Sequence, residues 1–251
     1  MNKYILKFER VSLLKNYAAL FFGIAFPIMI SSLILTGALK DVPQEILPDV
    51  QKSVVLSLSI ISPLSTFLIG LASIFAKDLE EGVYDRLELF SINHLTMAIY
   101  KFIVYYVFWF ICNVLYFIVM INAFDLDIPL ISLVKHTIFV TILGIGMFFL
   151  SYGLCLFTKK YSVAFGITMV LYFGIMILGG MMGIRVEDLP GKVKTFAEIL
   201  PTSHFSSQAY LEEVSRGGSL NYSFLQSLIV LLLISLIFFA ISVYKNKRKN
   251  P

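Results

Sequence analysis

The chain has 251 residues, 58% of them hydrophobic and only 14% charged, with 23 Phe and a formal net charge of +4. That is more apolar surface than one soluble core of this size can bury, which excludes a water-soluble globular domain and puts the chain in a bilayer. The apolar runs are continuous rather than alternating, which excludes a membrane β-barrel.

Residues 1–16, MNKYILKFERVSLLKN, set Lys3, Lys7 and Arg10 at i, i+4 and i+7, opposite Ile5, Phe8 and Ser12. The spacing predicts a helix lying on an anionic membrane surface, with an ordinary positive flank as the alternative. No cleavable signal pattern is expected, because the first apolar run is long enough to span and lacks a small-residue cleavage site. Crossing about 30 Å of hydrocarbon at about 1.5 Å per residue takes about 20 residues, and six runs qualify: 17–39, 54–76, 97–123, 137–157, 162–182 and 224–244. The fold class is therefore an all-α integral membrane protein. Pro27 and Pro63 predict kinks in the first two spans. Cys112 and Cys155 fall inside spans, where an isolated thiol behaves as a small apolar group, and no disulfide is expected.

In the second span Ser59, Ser62, Thr66, Gly70 and Ser73 recur at i, i+3, i+7, i+11 and i+14. Such a stripe either lets helices approach closely, its commoner use, or lines a polar translocation path. Gly23, Pro27 and Ser31 in the first span and Gly179 with Gly183 in the fifth read both ways too. No deeply buried charge is expected in any span, which counts against an ion-coupled carrier. Lys101, Lys135 and His136 sit near span ends and are expected to snorkel. His94 and His136 read as interfacial residues rather than metal ligands, and Asn113 and Asn122 as hydrogen-bonding to neighbouring helices.

Between the second and third spans, AKDLEEGVYDRLELF at 76–90 holds five carboxylates, Asp78, Glu80, Glu81, Asp85 and Glu88. Each would cost about 2.5 to 3.5 kcal/mol at mid-membrane, so the segment lies at or beyond the surface. Leu79, Val83, Leu87 and Phe90 recur at i, i+4, i+8 and i+11, while Glu81, Asp85 and Glu88 share another face, which predicts one amphipathic helix. Anionic lipid would repel that acidic face, whereas a basic or polar protein surface would attract it. A solvated loop helix is the alternative.

Between the fifth and sixth spans Leu189, Val193, Phe196 and Leu200 recur at helical spacing until Pro201 breaks the pattern, and a second amphipathic piece surrounds Phe205, Tyr210 and Leu211. Two short helices dipping into the outer leaflet are expected, with Gly217 and Gly218 turning the chain into the last span. Of the 20 Lys and Arg, all but Lys40, Lys52, Lys135, Arg185, Lys192, Lys194 and Arg216 fall on one side if the N-terminus is cytoplasmic, so both termini and the acidic segment are expected inside.

GxxxxGK[ST], HExxH and GxSxG do not occur in the sequence, so neither a phosphate-cradling loop nor these catalytic motifs are expected. A membrane-embedded protease would need EExxxR. Here Glu80 and Glu81 are followed by Arg86 one residue too late, a slip of about 100° around a helix.

The run Glu81, Gly82, Asp85, Leu87, with Lys101 about twenty residues beyond Glu81 at the start of the next span, resembles the type-2 family of ATP-binding-cassette (ABC) exporter permeases. Val83 stands where that family often has Thr, and no Pro follows near 91–95. The resemblance extends through the six spans, the glycines at 179 and 180, the Leu189-Pro190 pair and ILPTSHF at 199–205, which is similar to the family's re-entrant hairpin. It implies one transmembrane permease domain over 1–251, with an interfacial helix at 1–16, a cytoplasmic coupling segment at 77–94 and an extracellular re-entrant segment at 185–222. It further implies ATPase-coupling residues Glu81, Gly82, Asp85, Leu87 and Glu88, a candidate path along the Ser59 to Ser73 stripe, and no cofactor in this chain, ATP and Mg being held by a separate ATPase subunit. The expected partners are that ATPase on the cytoplasmic side, a second permease subunit in a homo- or heterodimer, the lipid bilayer, and an exported peptide toxin, bacteriocin or drug; no nucleic acid is expected. Lys-, Ile- and Asn-rich usage points to the plasma membrane of a Gram-positive bacterium. A membrane protease or a bacteriocin-immunity protein are the competing readings.

Overall fold

A computed structural model describes residues 3–39, 42–90, 92, 94–182, 186–207, 210, 214 and 222–249, with the side chains of 88, 94 and 247–249 set aside. Among the described residues, six helical stretches are long and apolar enough to cross a membrane: Tyr17–Ala38, Leu47–Glu80, Leu95–Phe124, Leu130–Thr158, Tyr161–Leu178 and Tyr222–Asn246. They match the six expected spans; the second, third, fourth and sixth extend beyond the expected limits, and the fifth ends at Leu178, short of 182. The second is the most buried of the six and forms the axis around which the others pack.

Helix α1 (Lys3–Leu14) packs on the start of the third span through Ile5, Glu9 and Leu13, at i, i+4 and i+8. Of the residues set opposite the basic stripe, Ile5 is buried while Phe8 is exposed, and the carboxylate of Glu9 lies in the core. Asn16 then caps the first span, its Oδ1 accepting from the Ala18 and Ala19 amides.

The first span comprises α2 (Tyr17–Leu20), a π turn at Phe21–Ala25, α3 (Phe26–Leu33) and a second π turn at Ile34–Ala38. The second comprises α4 (Leu47–Ser59), α5 (Ile61–Leu64), a π turn at Ser65–Gly70 and α6 (Leu71–Glu80). These π turns accompany Pro27 and Pro63. Pro27 lacks the N–H that would serve the carbonyl of Gly23 in an α-helix or of Phe22 in a π turn. The second span supplies replacements: Ser62 Oγ donates to Gly23 O at 2.9 Å and Ser65 Oγ to Phe22 O at 2.6 Å. In return, Asn16 Nδ2 and Tyr105 OH each donate to Gly70 O at 3.2 Å, and Ser151 Oγ donates to Leu68 O at 3.2 Å.

The remaining α-helices among the described residues are α7 (Val83–Glu88), α8 (His94–Phe124), α9 (Leu130–Thr158), α10 (Tyr161–Leu178), α11 (Gly191–Ile199), α12 (Pro201–Phe205) and α13 (Tyr222–Lys249). Helix α13 lies along α9, where Gly146 and Gly153 leave room for Leu231 and Phe239. Lys245 Nζ stands 4.0 Å from the Phe157 ring centroid, so the described ends of α1 and α13 share the end of the bundle that carries α7.

At the opposite end the chain breaks at Pro201 as expected, with Leu200 extended between α11 and α12. Val193 and Phe196 of α11 face outward, whereas Phe205 of α12 is buried against Tyr210, Phe224 and His136. Ser57 Oγ donates to Phe205 O and Ser206 Oγ to Gly179 O, which fasten α12 to the second and fifth spans. A Cβ on Gly179 would lie 3.1 Å from Thr202 Cβ, so the glycine admits this approach. Gly183, Leu211, Gly217 and Gly218 lie outside the described residues.

Candidate functional site

The acidic segment is two helices rather than the one expected. Glu81 caps α6, and Gly82 takes the left-handed conformation at φ 67° and ψ 23° before α7 begins. A side chain at that backbone conformation costs about 1 to 2 kcal/mol, so the glycine is what lets the chain turn there. Leu79, Val83 and Leu87 pack against the core, in line with the helical spacing. Phe90 does not: it is 76% exposed and Leu89 is 84% exposed, because α7 ends at Glu88 and the next residues leave the bundle. Glu81 and Asp85 are exposed on the same projecting segment. Lys77 Nζ stands 3.7 Å from Glu81 Oε1 on the surface, where such a pair is worth little, about 0.3 to 0.5 kcal/mol. Glu88 is the last residue of α7, and its side chain lies outside those described.

The inward anchor of α7 is Tyr84, which is buried. Its ring meets Phe75 edge-on at 4.9 Å, and Phe75 stacks on Tyr152 at 4.2 Å. Burial raises the Tyr84 phenol well above its ordinary range, so it stays neutral. Beneath these rings lies an ionic node that the sequence did not disclose. Lys101 is fully buried; its Nζ donates to Glu9 Oε2 at 2.6 Å and stands 3.8 Å from Asp78 Oδ2. The same ammonium is 5.4 Å from the Phe75 centroid and 5.7 Å from that of Tyr84. The expectations that Lys101 snorkels and that no span buries a charge are both overturned. The reason is that α1 folds over the start of α8 and brings a carboxylate to the lysine, so the ammonium gains a partner without reaching water. The node joins α1, the end of α6, the base of α7 and the start of α8.

Glu80 has a separate task. Its Oε2 accepts from the Tyr161 backbone N–H at 2.6 Å and so caps α10, the fifth span. Arg86 donates from its guanidinium to Glu81 O at 3.3 Å. The paired glutamates thus face different partners, and His136 and His204 lie at the other end of the bundle.

The small-residue stripe is internal to the chain. Ser59 Oγ bonds His136 Nε2 at 2.7 Å and Ser62 Oγ bonds Gly23 O. Thr66 lies where a Cβ on Gly23 would be 3.1 Å from its Oγ1, and Gly70 lies where its own Cβ would be 3.1 Å from Ala19 Cβ. Ser73 Oγ accepts from Asn16 Nδ2 at 2.6 Å. Four of the five therefore meet the first span, and Ser59 meets the fourth.

His136 does not snorkel either. It is fully buried between Ser59 and Tyr210, with Nδ1 2.6 Å from the tyrosine hydroxyl. Ser59 donates its proton to Leu56 O, so its oxygen accepts from His136 Nε2–H, and the singly protonated imidazole then accepts at Nδ1 from Tyr210.

Six helices long and apolar enough to cross a membrane, with a short acidic helix projecting from one end, define a polytopic membrane protein. The family follows from comparison. The profile of the ABC-2 family transporter proteins matches residues 25–244, and the chain belongs to that family. Membrane permeases of that family lack the nucleotide-binding domain and generally pair with an ATPase subunit. Over 92 residues, 37% of this chain, it is 30% identical to the "Putative transport permease YvfS" of Bacillus subtilis (strain 168), and the match spans 35% of that protein's length.

Proposed function

We propose that this chain is the membrane half of an ATP-driven exporter, two permease subunits working with two ATPase subunits docked on the cytoplasmic face. The observation that carries this reading is α7. Tyr84 ties it inward to the Lys101 node, while Glu81, Asp85, Leu89 and Phe90 project outward and offer an ATPase an acidic and apolar surface. Force applied to that surface reaches α1, the second span and the third span through one buried cluster. ATP and Mg belong to the partner, and chemistry stays there.

The cargo proposed is amphipathic or hydrophobic, a peptide toxin, bacteriocin or drug, in the plasma membrane of a Gram-positive bacterium. The apolar spans and the Bacillus relative support this. A path along Ser59, Ser62, Thr66, Gly70 and Ser73 would open by parting the first two spans, breaking the Ser62 and Ser65 bonds to Gly23 and Phe22. A disulfide between Ala19→Cys and Gly70→Cys should then abolish export, reversibly on reduction; unchanged export in the oxidised protein would leave the stripe a packing surface.

The central test is Glu81→Lys at matched expression, read by ATPase copurification and cargo export. Charge-assisted hydrogen bonds are worth about 1.5 to 3 kcal/mol, so partner retention should fall about tenfold to a hundredfold while the protein accumulates normally. Retention and export at wild-type level would sink the docking assignment.

A further inference from the structure

Helices α8 and α9 are consecutive and joined only by residues 125–129, yet they part to leave a groove of about 660 Å³ lined by Tyr106, Phe110, Asn113, Phe117, Thr137 and neighbouring apolar residues. No lining residue is charged. Spread over the 24 Å or so between the levels of Tyr106 and Asn122, that volume averages about 27 Å² in cross-section. A second copy's helix, about 10 to 12 Å across, is far too broad, whereas a single alkyl chain fits.

One polar group breaks the apolar lining. Asn113 is 2% exposed and its Nδ2 reaches Thr137 Oγ1 at 3.4 Å, while Oδ1 has no hydrogen-bond partner among the described residues. Turning the amide over only exchanges which of its atoms is left over. Asn122 Nδ2 and Thr141 Oγ1, which line the same groove, donate on their own helices to Ile118 O and Thr137 O. Asn113 lies eleven residues from the end of α8, about 16 Å in, where no water serves an unpaired amide atom.

We infer that this groove binds a single-chain neutral amphiphile with a hydroxyl or amide near mid-chain, its polar group paired with Asn113 and Thr137 and its two apolar arms along α8 and α9. The inference rests on the spans lying in a bilayer and not on export. The test uses the full chain in phosphatidylcholine nanodiscs with two photoreactive probes, a long-chain secondary alcohol with its hydroxyl at mid-chain and the matching alkane, cross-linked sites being mapped by mass spectrometry. The alcohol should label 106–122 and 130–141 about fivefold more than the alkane, the factor expected for one hydrogen bond. Asn113→Leu should remove that excess, and Ile138→Trp, on the exposed wall of the groove, should lower labelling by both probes without disturbing the fold. Equal labelling by alcohol and alkane in the wild type, or labelling unchanged in both variants, would overturn the inference. So would efficient disulfide cross-linking of Ile118→Cys between two copies, which would mean that a second subunit covers the groove.

Discussion

The two ends of the bundle solve one problem with different chemistry. At one end Lys101 sits between Glu9 and Asp78 and ties α1 and α7 to the spans; at the other His136 sits between Ser59 and Tyr210 and ties the α12 region to them. The first cluster is ionic and the second, with the tautomer that Ser59 imposes, is a chain of neutral hydrogen bonds. An ionic cluster in a dry core fails abruptly, because losing one member strands a charge. A neutral chain loses about one bond at a time.

Lys101→Met is the sharpest way to break this comparison. It leaves a buried Glu9 and a half-buried Asp78 without their cation and should destabilise the detergent-solubilised protein by about 3 to 5 kcal/mol, read as thermal unfolding. Adding Glu9→Leu should recover part of the loss, and a double variant no better than the single one would mean that the pair is not the source. At the neutral end, Tyr210→Phe strands the Nδ1 acceptor of His136, and the same assay should show about 1 to 3 kcal/mol. If it equals the Lys101→Met effect, the contrast between the two ends disappears.

Smaller effects sharpen the picture around α7. Gly82→Leu forces a side chain into the left-handed region and should cost about 1 to 2 kcal/mol, concentrated in the joint between α6 and α7. Hydrogen exchange confined to 78–90 would show it, and uniform protection would count against it. Glu80→Ala removes the cap of α10 and should cost about 1 kcal/mol, whereas Glu80→Gln keeps an acceptor oxygen and should fall within a few tenths. Equal losses for both would mean that charge, not the cap, holds Tyr161.

Six spans, the break at Pro201 and the inward set Leu79, Val83 and Leu87 are legible because each follows from run length or from a fixed helical period. The ionic node is not. Glu9 sits one turn from Ile5 on the same face, but its partner lies 92 positions away, a pairing that no local pattern encodes. His136 misreads for the same reason, since Tyr210 and Ser59 come from distant segments. Phe90 fits the period of Leu87 but falls beyond the end of its helix. The stripe from Ser59 to Ser73 is visible as a pattern, yet its donors answer to Pro27 in another span, and π turns shift the register that periodicity assumes.

The Pro27 arrangement bears on how the protein is made. As the first span leaves the ribosome it carries a carbonyl, that of Gly23 in an α turn or of Phe22 in a π turn, that Pro27 has no N–H to serve, and the replacing donors arrive only with Ser62 and Ser65. Leaving such groups bare in hydrocarbon costs several kcal/mol, so the first span is expected to wait beside the translocon and enter lipid together with the second as a hairpin. Nascent chains arrested before residue 60 should stay cross-linkable to the translocon, and chains arrested well past residue 80 should be released. The replacement Pro27→Ala, which restores the missing N–H, should let the first span leave alone.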